Sequence, residues 1–210
     1  IQITSLAPLC FTYETDPLDN TTTLFADLWT SFSIQVNNLT IIFNDPRRFG
    51  FIKLIKKKKN IKNYFKKLGP DPFEKAFNFN YVKQYLFKKT KNIKNTLIDQ
   101  NFISGIGNIY SSEILNYSKI NPLKSSGKIS DKEINNIIYY TKKVLKRSID
   151  RGGTTISNFH SIKGKQGSYQ KEFRIYDREK KSCRNKLCLG SVVKLNISNR
   201  STYMCNICQK

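Results

Sequence analysis

Apolar and polar positions alternate in the first part of the chain that can be interpreted. The alternation runs over residues 32–36, stops at Asn37-Asn38, and resumes over residues 40–43. A period of two on both sides of turn-forming residues is typical of a β-hairpin. A further strand is predicted over residues 51–55, whereas residues 1–30 show no pattern that places them.

The period changes to that of helices after a cluster of strong breakers, Leu68-Gly69-Pro70-Asp71-Pro72. Glycine and proline at this density mark a loop, and here they predict a domain boundary. Beyond it, apolar residues recur at spacings of three and four, so helices of modest length are predicted over residues 78–89, 92–103 and 108–117.

A fourth predicted helix begins at Ser130, which stands three residues before Glu133 with the spacing of a capping box. Apolar residues recur on one face over residues 134–149, and Gly152-Gly153 ends the helix. A loop-rich piece and a short predicted strand over residues 172–176 then lead to the last part of the chain.

The charge of the chain indicates a polyanionic partner. Lys and Arg number 37 against 15 Asp and Glu, which gives a net charge of +22. Such an excess favours nucleic acid through release of its counterions, although any single lysine run can also be a solvated surface. We find no apolar run of about 18 residues and no signal peptide. We therefore expect a cytoplasmic protein that does not bind membranes.

Four of the five cysteines crowd the end of the chain as two close pairs, Cys183-x4-Cys188 and Cys205-x2-Cys208. Short loops let both thiols of a pair reach one tetrahedral zinc ion, and the insert between the pairs has the pattern of a hairpin. Four thiolates leave no open position, so the sequence predicts one structural Zn²⁺. The alternative is buried or incidental cysteines. Arg200 would lie at the hairpin tip, either facing DNA or simply solvated.

Two further motifs favour contact with phosphate. The glycines of Gly105-Ile106-Gly107 break one helix and open the next at Asn108. The exposed N–H groups at the start of that helix can bind phosphate. The alternative is that Asn108 is only a helix N-cap. In Asp45-Pro46-Arg47-Arg48-Phe49-Gly50, two arginines can neutralise phosphates beside an aromatic ring that can wedge into a base stack, or that ring is core.

Taken in this order, the motifs resemble the formamidopyrimidine-DNA glycosylase family and its endonuclease VIII relatives, from about residue 32 to residue 210. The segments that carry the resemblance are residues 44–50, 68–72, 93–94, 97–100, 105–110, 152–155 and 164–167. The resemblance implies an enzyme that kinks double-stranded damaged DNA and extrudes an oxidised purine such as 8-oxoguanine or a formamidopyrimidine. It also implies a bifunctional glycosylase and lyase of base-excision repair that acts as a monomer.

The resemblance further implies roles for individual residues. Asn108 and Arg200 would grip phosphates around the lesion, and Arg200 would assist the elimination step. Arg47 and Phe49 would fill the gap left by the flipped nucleotide, with Arg48 as a further DNA contact. The remaining implied positions are Lys89 or Lys91 on the DNA backbone, and a loop over the flipped base that includes Gly164, Gly167 and Tyr169.

The start of the chain departs from the family pattern. The family begins with Pro-Glu after its initiator Met, and the proline amine attacks the sugar, whereas this chain begins Ile1-Gln2. The first cysteine pair also has two more intervening residues than the usual Cys-x2-Cys. Because the Pro-Glu start is absent, we expect this polypeptide to be a truncated form that binds DNA without excising bases.

We predict an α+β chain with a partial antiparallel β-sandwich, a helix–two-turn–helix domain and a C-terminal zinc ribbon. The predicted divisions are residues 1–67 for the partial sandwich (1–30 unplaced), 68–160 for the helical domain, 161–180 for the lesion-capping loop and strand, and 181–210 for the zinc-finger hairpin. The alternative functions are a non-catalytic zinc-dependent DNA-binding protein and, with less support, a zinc-ribbon protein of the translation or transcription machinery.

Overall fold

The structure is a computed structural model that describes residues 65–154 and 167–209, and the backbone of three strands before them. The predicted strand over residues 51–55, together with Arg47, Arg48, Phe49 and Gly164, lies outside the described residues. The chain divides into two compact units, Ile1–Tyr64 with Gly152–Gln170 and Phe65–Arg151 with Lys171–Lys210.

The first unit contains a three-stranded antiparallel sheet. Its strands are β1 (Phe11–Thr12), β2 (Thr30–Val36) and β3 (Leu39–Asn44), in the order β1-β3-β2. Val36 pairs with Leu39 across the two-residue connection, so the predicted hairpin is confirmed. The sequence left Phe11 unplaced, but here it pairs with Phe43, because a two-residue strand is too short to show a period.

The described residues of the second unit include four α-helices. They are α1 (Phe79–Leu86), α2 (Ile93–Leu97), α3 (Asn108–Ser118) and α4 (Asp131–Asp150). Asn78 and Asn92 cap the first two, each accepting a hydrogen bond from the backbone N–H three residues later. The prediction of a helix over 92–103 was too long, because turns centred on Asp99 and Gln100 replace its second half.

Helix α4 begins and ends as the sequence predicts. The Ser130 hydroxyl accepts from the Glu133 N–H, and the Glu133 carboxylate accepts from the Ser130 N–H, which completes the capping box. After the helix, Gly152 and Gly153 have φ of 72° and 85°. One residue of the predicted apolar face was wrong: Ile149 is 67% exposed, and Ser148 takes the buried position in the last turn.

Helix α3 lies at the centre of this unit and packs against α2, α4 and the C-terminal hairpin. Glu113 of this helix is fully buried. Its carboxylate accepts hydrogen bonds from the backbone N–H groups of Arg174, Ile175 and Tyr176, over 2.9, 3.0 and 2.9 Å respectively. The prediction of a strand over 172–176 was wrong, because these amides bond to a carboxylate rather than to a neighbouring strand. A short 3-10 helix, Tyr169–Glu172, precedes them.

The second unit ends in a β-hairpin made of β4 (Val192–Ile197) and β5 (Arg200–Cys205). Ser198 and Asn199 connect the strands with φ of 50° and 58°. Two successive left-handed residues form the turn whose twist matches that of a β-ribbon. Within the described residues, none of the helices is long and apolar enough to cross a bilayer.

Candidate nucleic-acid interface and metal centre

The four C-terminal cysteines converge at the base of the β4–β5 hairpin. All four sulfur atoms lie within 4.8 Å of one another. The Sγ atoms of Cys183 and Cys208 are 3.7 Å apart, and those of Cys188 and Cys205 are 3.6 Å apart. Sulfur ligands around one tetrahedral zinc ion at ~2.3 Å would be separated by about 3.8 Å. The four thiols therefore have the spacing of a metal site.

Backbone N–H groups point at the sulfur atoms, as expected of a thiolate site. Asn185 donates to Cys183 Sγ over 3.4 Å, Gly190 to Cys188 Sγ over 3.4 Å, and Ile207 to Cys205 Sγ over 3.5 Å. Burial alone would raise the pKa of Cys205, but the N–H groups of Ile207 and Cys208 and the neighbouring thiols outweigh it and lower this pKa to about 7. Burial raises the pKa of Cys183 and of Cys208, so the lowered pKa belongs to Cys205 and not to the whole cluster. A thiolate is the form that binds metal, so these donors favour the ligand state. The two extra residues of the first cysteine loop thus leave chelation possible.

The hairpin carries Arg200 as the first residue of β5, directly after the turn. It pairs with Ile197, and it is exposed. Ser201 already pairs with Asn196 in the ladder, so the turn itself consists of Ser198 and Asn199. Arg200 stands at the tip of the ribbon, at the end opposite the cysteine cluster.

The turns before α3 are built around one side chain that the sequence did not single out. Gln100 donates to the carbonyls of Ile98 and Ile106 over 3.1 and 3.0 Å, and accepts from the Gly105 N–H over 2.8 Å. Gly105 has φ of 80°, a conformation that favours glycine. Gln100 therefore closes the loop that ends at the first turn of α3.

Asn108 is the first residue of α3, and Gly107 is the N-cap. The alternative that Asn108 merely caps the helix is therefore wrong, because its side chain bonds elsewhere. Its Nδ2 donates to the backbone carbonyl of Ser201 over 2.8 Å. A second bond, from Asn95 Nδ2 to Ser198 Oγ over 2.8 Å, joins α2 to the hairpin turn. Helices α2 and α3 and the ribbon tip thus meet at one junction.

Lys94 lies inside this junction. Its side chain is 1% exposed, and its Nζ donates to Asn108 Oδ1 over 2.8 Å and to Ser112 Oγ over 2.9 Å. Burial, together with the charge of Arg200, lowers the pKa of Lys94 to about 7. A lysine is expected at the surface, so the sequence pattern missed it. The available signal was its place among Ile93, Thr96 and Leu97, which are all buried in the same short helix.

The two candidate backbone-contacting lysines lie between α1 and α2. Lys89 Nζ is 4.3 Å from the centre of the Tyr85 ring, and Lys91 Nζ forms an ion pair with Asp99 over 3.2 Å. Lys91 is exposed, whereas Lys89 is half-buried. The charge of Lys91 is therefore partly neutralised within the protein, which favours Lys89 of the two for a phosphate contact.

Two residues of the predicted lesion loop are described, and both belong to the first unit. Gly167 packs so closely on the carbonyl of Gly153 that a Cβ could not be added there. Tyr169 is 1% exposed, and its N–H donates to the Gly153 carbonyl over 3.2 Å. These contacts fix the C-terminal end of the loop, while Gly164 lies outside the described residues.

Comparison with known proteins gives one consistent result. The family model for the Formamidopyrimidine-DNA glycosylase H2TH domain matches residues 68–160. The chain is 40% identical over 173 residues to a formamidopyrimidine-DNA glycosylase of Rickettsia africae, which covers 82% of this chain and 63% of that relative. It is 34% identical over 175 residues to one of Zymomonas mobilis, covering 83% of this chain and 64% of the relative. The chain thus spans less than two thirds of these relatives.

The fold agrees with a solved structure of the same kind. An Fpg mutant of Lactococcus lactis, in a complex with DNA that contains Fapy-dG, superposes with a TM-score of 0.83 at 26% identity. The match covers 97% of this chain and 72% of that one. The helices and the two-stranded antiparallel sheet therefore have the arrangement of that protein.

Proposed function

We propose that this chain is a member of the formamidopyrimidine-DNA glycosylase family, to which its matched relatives belong, and that it binds damaged double-stranded DNA in base-excision repair. The observation that carries the proposal is the hydrogen bond from Asn108 Nδ2 to the Ser201 carbonyl. It joins the first turn of α3 to the strand that begins with Arg200. A helix start and a guanidinium side by side are suited to binding phosphate.

The charge at the junction supports phosphate as the ligand. The N-terminus of α3 carries partial positive charge, and no acidic residue lies in its first turn. Arg200 and Lys94 add two basic side chains, and the proposed contact of Lys89 adds a third. An anion gains from each of these groups.

We further propose that Cys183, Cys188, Cys205 and Cys208 hold one Zn²⁺, which would be structural. Their sulfur spacing and N–H donors fit a tetrahedral thiolate site. Four protein ligands leave no position for water or substrate, so the ion would supply folding free energy rather than chemistry. In this proposal residues 181–210 are a zinc ribbon, and residues 68–160 are the helix–two-turn–helix domain.

The substrate class follows from the family. We infer a DNA glycosylase and lyase for oxidised purines, because the relatives are named for formamidopyrimidine and the matched complex contains Fapy-dG. The target base must leave the stack before its glycosidic bond can be reached. Arg47, Arg48 and Phe49 would support the opened duplex, Gly164, Gly167 and Tyr169 would belong to the loop over the base, and Arg200 would assist elimination. We propose that the protein acts as a monomer.

Excision of the base by this polypeptide is a proposal separate from that of DNA binding. Borohydride trapping on a duplex with 8-oxoguanine tests it, because an amine that attacks the sugar becomes covalently attached to DNA. A trapped complex would exclude the alternative of a non-catalytic zinc-dependent DNA-binding protein.

The binding proposal is tested with a duplex that carries a tetrahydrofuran abasic analogue, which cannot be excised. Asn108→Ala should weaken binding about tenfold in fluorescence anisotropy, since a hydrogen bond to a charged group contributes about 1.5–3 kcal/mol. Asn101→Ala, which removes an exposed asparagine from the preceding turns, is the matched control. Equal affinities of the two variants would overturn the proposed phosphate site.

A further inference from the structure

The buried lysine of the junction has neutral partners on every side. Besides Asn108 Oδ1 and Ser112 Oγ, the Lys94 Nζ lies 3.4 Å from the Asn108 carbonyl and 3.5 Å from Thr202 Oγ1. Within residues 65–154 and 167–209, none of the ion pairs includes it. The charged group that faces it is another cation, Arg200 on β5. A buried cation in these surroundings lacks a counter-charge.

The ammonium also decides how the Asn108 amide is turned. An asparagine side chain has an oxygen acceptor and a nitrogen donor that exchange places on a flip. A protonated lysine only donates, so it holds Oδ1 toward itself and turns Nδ2 toward Ser201. Because Ser201 uses one Nδ2 hydrogen, the other remains to donate to a ligand. A neutral amine can accept as well as donate, so it would enforce this orientation less strictly.

We propose that Lys94 is a positioning residue for phosphate binding, which orients the Asn108 amide and takes up a proton as the duplex binds. The inference rests on the proposed function, since a phosphate beside Asn108 and Arg200 would supply the missing counter-charge. The charged groups at this point are Arg200 on β5 and Lys94 itself on α2. Helix α3 contributes neutral Asn108 and Ser112, and β5 also contributes neutral Thr202.

The direction of the linkage follows from the pKa of Lys94. It is lowered to about 7 in the free protein, so the side chain is largely neutral above that pH. An adjacent anion favours the charged form and raises the pKa in the complex. Binding therefore takes up a proton above pH 7, and affinity should fall as pH rises, by at most about tenfold per pH unit.

Calorimetry on the unmodified protein tests the inference without any variant. Binding of the tetrahydrofuran duplex is measured at pH 7.5 in two buffers with different ionisation enthalpies, which gives the number of protons taken up. We expect an uptake between zero and one proton for each duplex, and a dissociation constant that rises between pH 7 and 9. The absence of both effects would overturn the inference.

Two variants assign the proton. Lys94→Arg stays protonated throughout this range, and Lys94→Met carries no proton, so neither should show uptake or a pH-dependent affinity. Zinc stoichiometry reports that each variant is folded. Uptake that persists in either folded variant would overturn the role of Lys94. Failure of the proposed function looks different, because Asn108→Ala would then leave duplex affinity unchanged at every pH.

Discussion

Asn108 in the first turn of α3 donates to the backbone carbonyl of Ser201 in β5, 93 residues later in the chain. The bond is made to the main chain, so it fixes the path of the ribbon strand beside the helix. Arg200 precedes Ser201 in the same strand, so the path of that strand also sets the position of Arg200. A change that moves the ribbon will therefore separate the guanidinium from the helix start.

Removal of one thiol should release the metal and weaken DNA binding. Cys205→Ser takes away a buried thiol of the proposed zinc site at the end of β5, so zinc stoichiometry should fall from one toward zero. Because the ribbon would lose its metal-derived stability, duplex affinity should fall at least about tenfold. Atomic absorption and fluorescence anisotropy measure the two effects. Cys10→Ser is the control, and a Cys205 variant with full duplex affinity would contradict the prediction.

Arg200→Ala should change the salt dependence of binding as well as the affinity. Loss of one phosphate contact lowers the slope of log affinity against log salt concentration by about 0.9. The measurement is a series of anisotropy titrations between low and moderate salt. Lys132→Ala removes the same charge from the exposed first turn of α4 and should leave the slope closer to that of the parent. Identical slopes for the parent and Arg200→Ala would exclude a phosphate contact.

Glu113→Gln should destabilise the fold while keeping the volume of the side chain. Burial raises the pKa of Glu113, and its two oxygens accept three backbone N–H groups. Glutamine keeps one acceptor oxygen and turns a donor toward the remaining N–H, which should cost about 1–3 kcal/mol. Thermal unfolding of the zinc-loaded protein measures the loss. The exposed Glu179→Gln is the matched control, and equal midpoints would show that the three bonds add little.

The ion pair of Glu133 with Lys124 should make the free energy of unfolding depend on pH in the acidic range. Burial alone would raise the pKa of Glu133, but hydrogen bonds from Lys124 and Ser130 outweigh it and lower this pKa. The pair therefore stabilises the fold above the unfolded value of about 4.3, and this stability is lost as pH falls through the folded pKa.

Lys124→Met tests this dependence. Urea unfolding at pH 7 should show a loss of about 1 kcal/mol, and the loss should be smaller at pH 3.5, which lies below the unfolded value of about 4.3. Lys83→Met breaks the more exposed pair with Asp131 and should have a smaller effect. A deficit of Lys124→Met that is equal at both pH values would show that the ion pair does not cause it.

The elements with regular patterns were predictable, and the buried polar contacts were not. The hairpin of residues 30–44, the capping box of α4 and the β4–β5 ribbon follow from alternation, caps and turn residues. Lys94, Gln100 and Glu113 were missed because each is a polar side chain that is expected at the surface. The burial of Lys94 and Glu113 depends on partners far along the chain, such as Thr202 for Lys94 and Ile175 for Glu113. Local periodicity carries no information about such partners.

The two-residue connection at Ser198 and Asn199 has a consequence for how this ribbon can vary among its relatives. Successive side chains of a strand point to opposite faces, so one inserted residue that shifts the pairing register of β5 would turn Arg200 to the other side of the hairpin. The length of the connection is therefore as restrictive as the identity of the arginine. Chains that lengthen this loop would have to do so two residues at a time, or else recruit a different basic side chain.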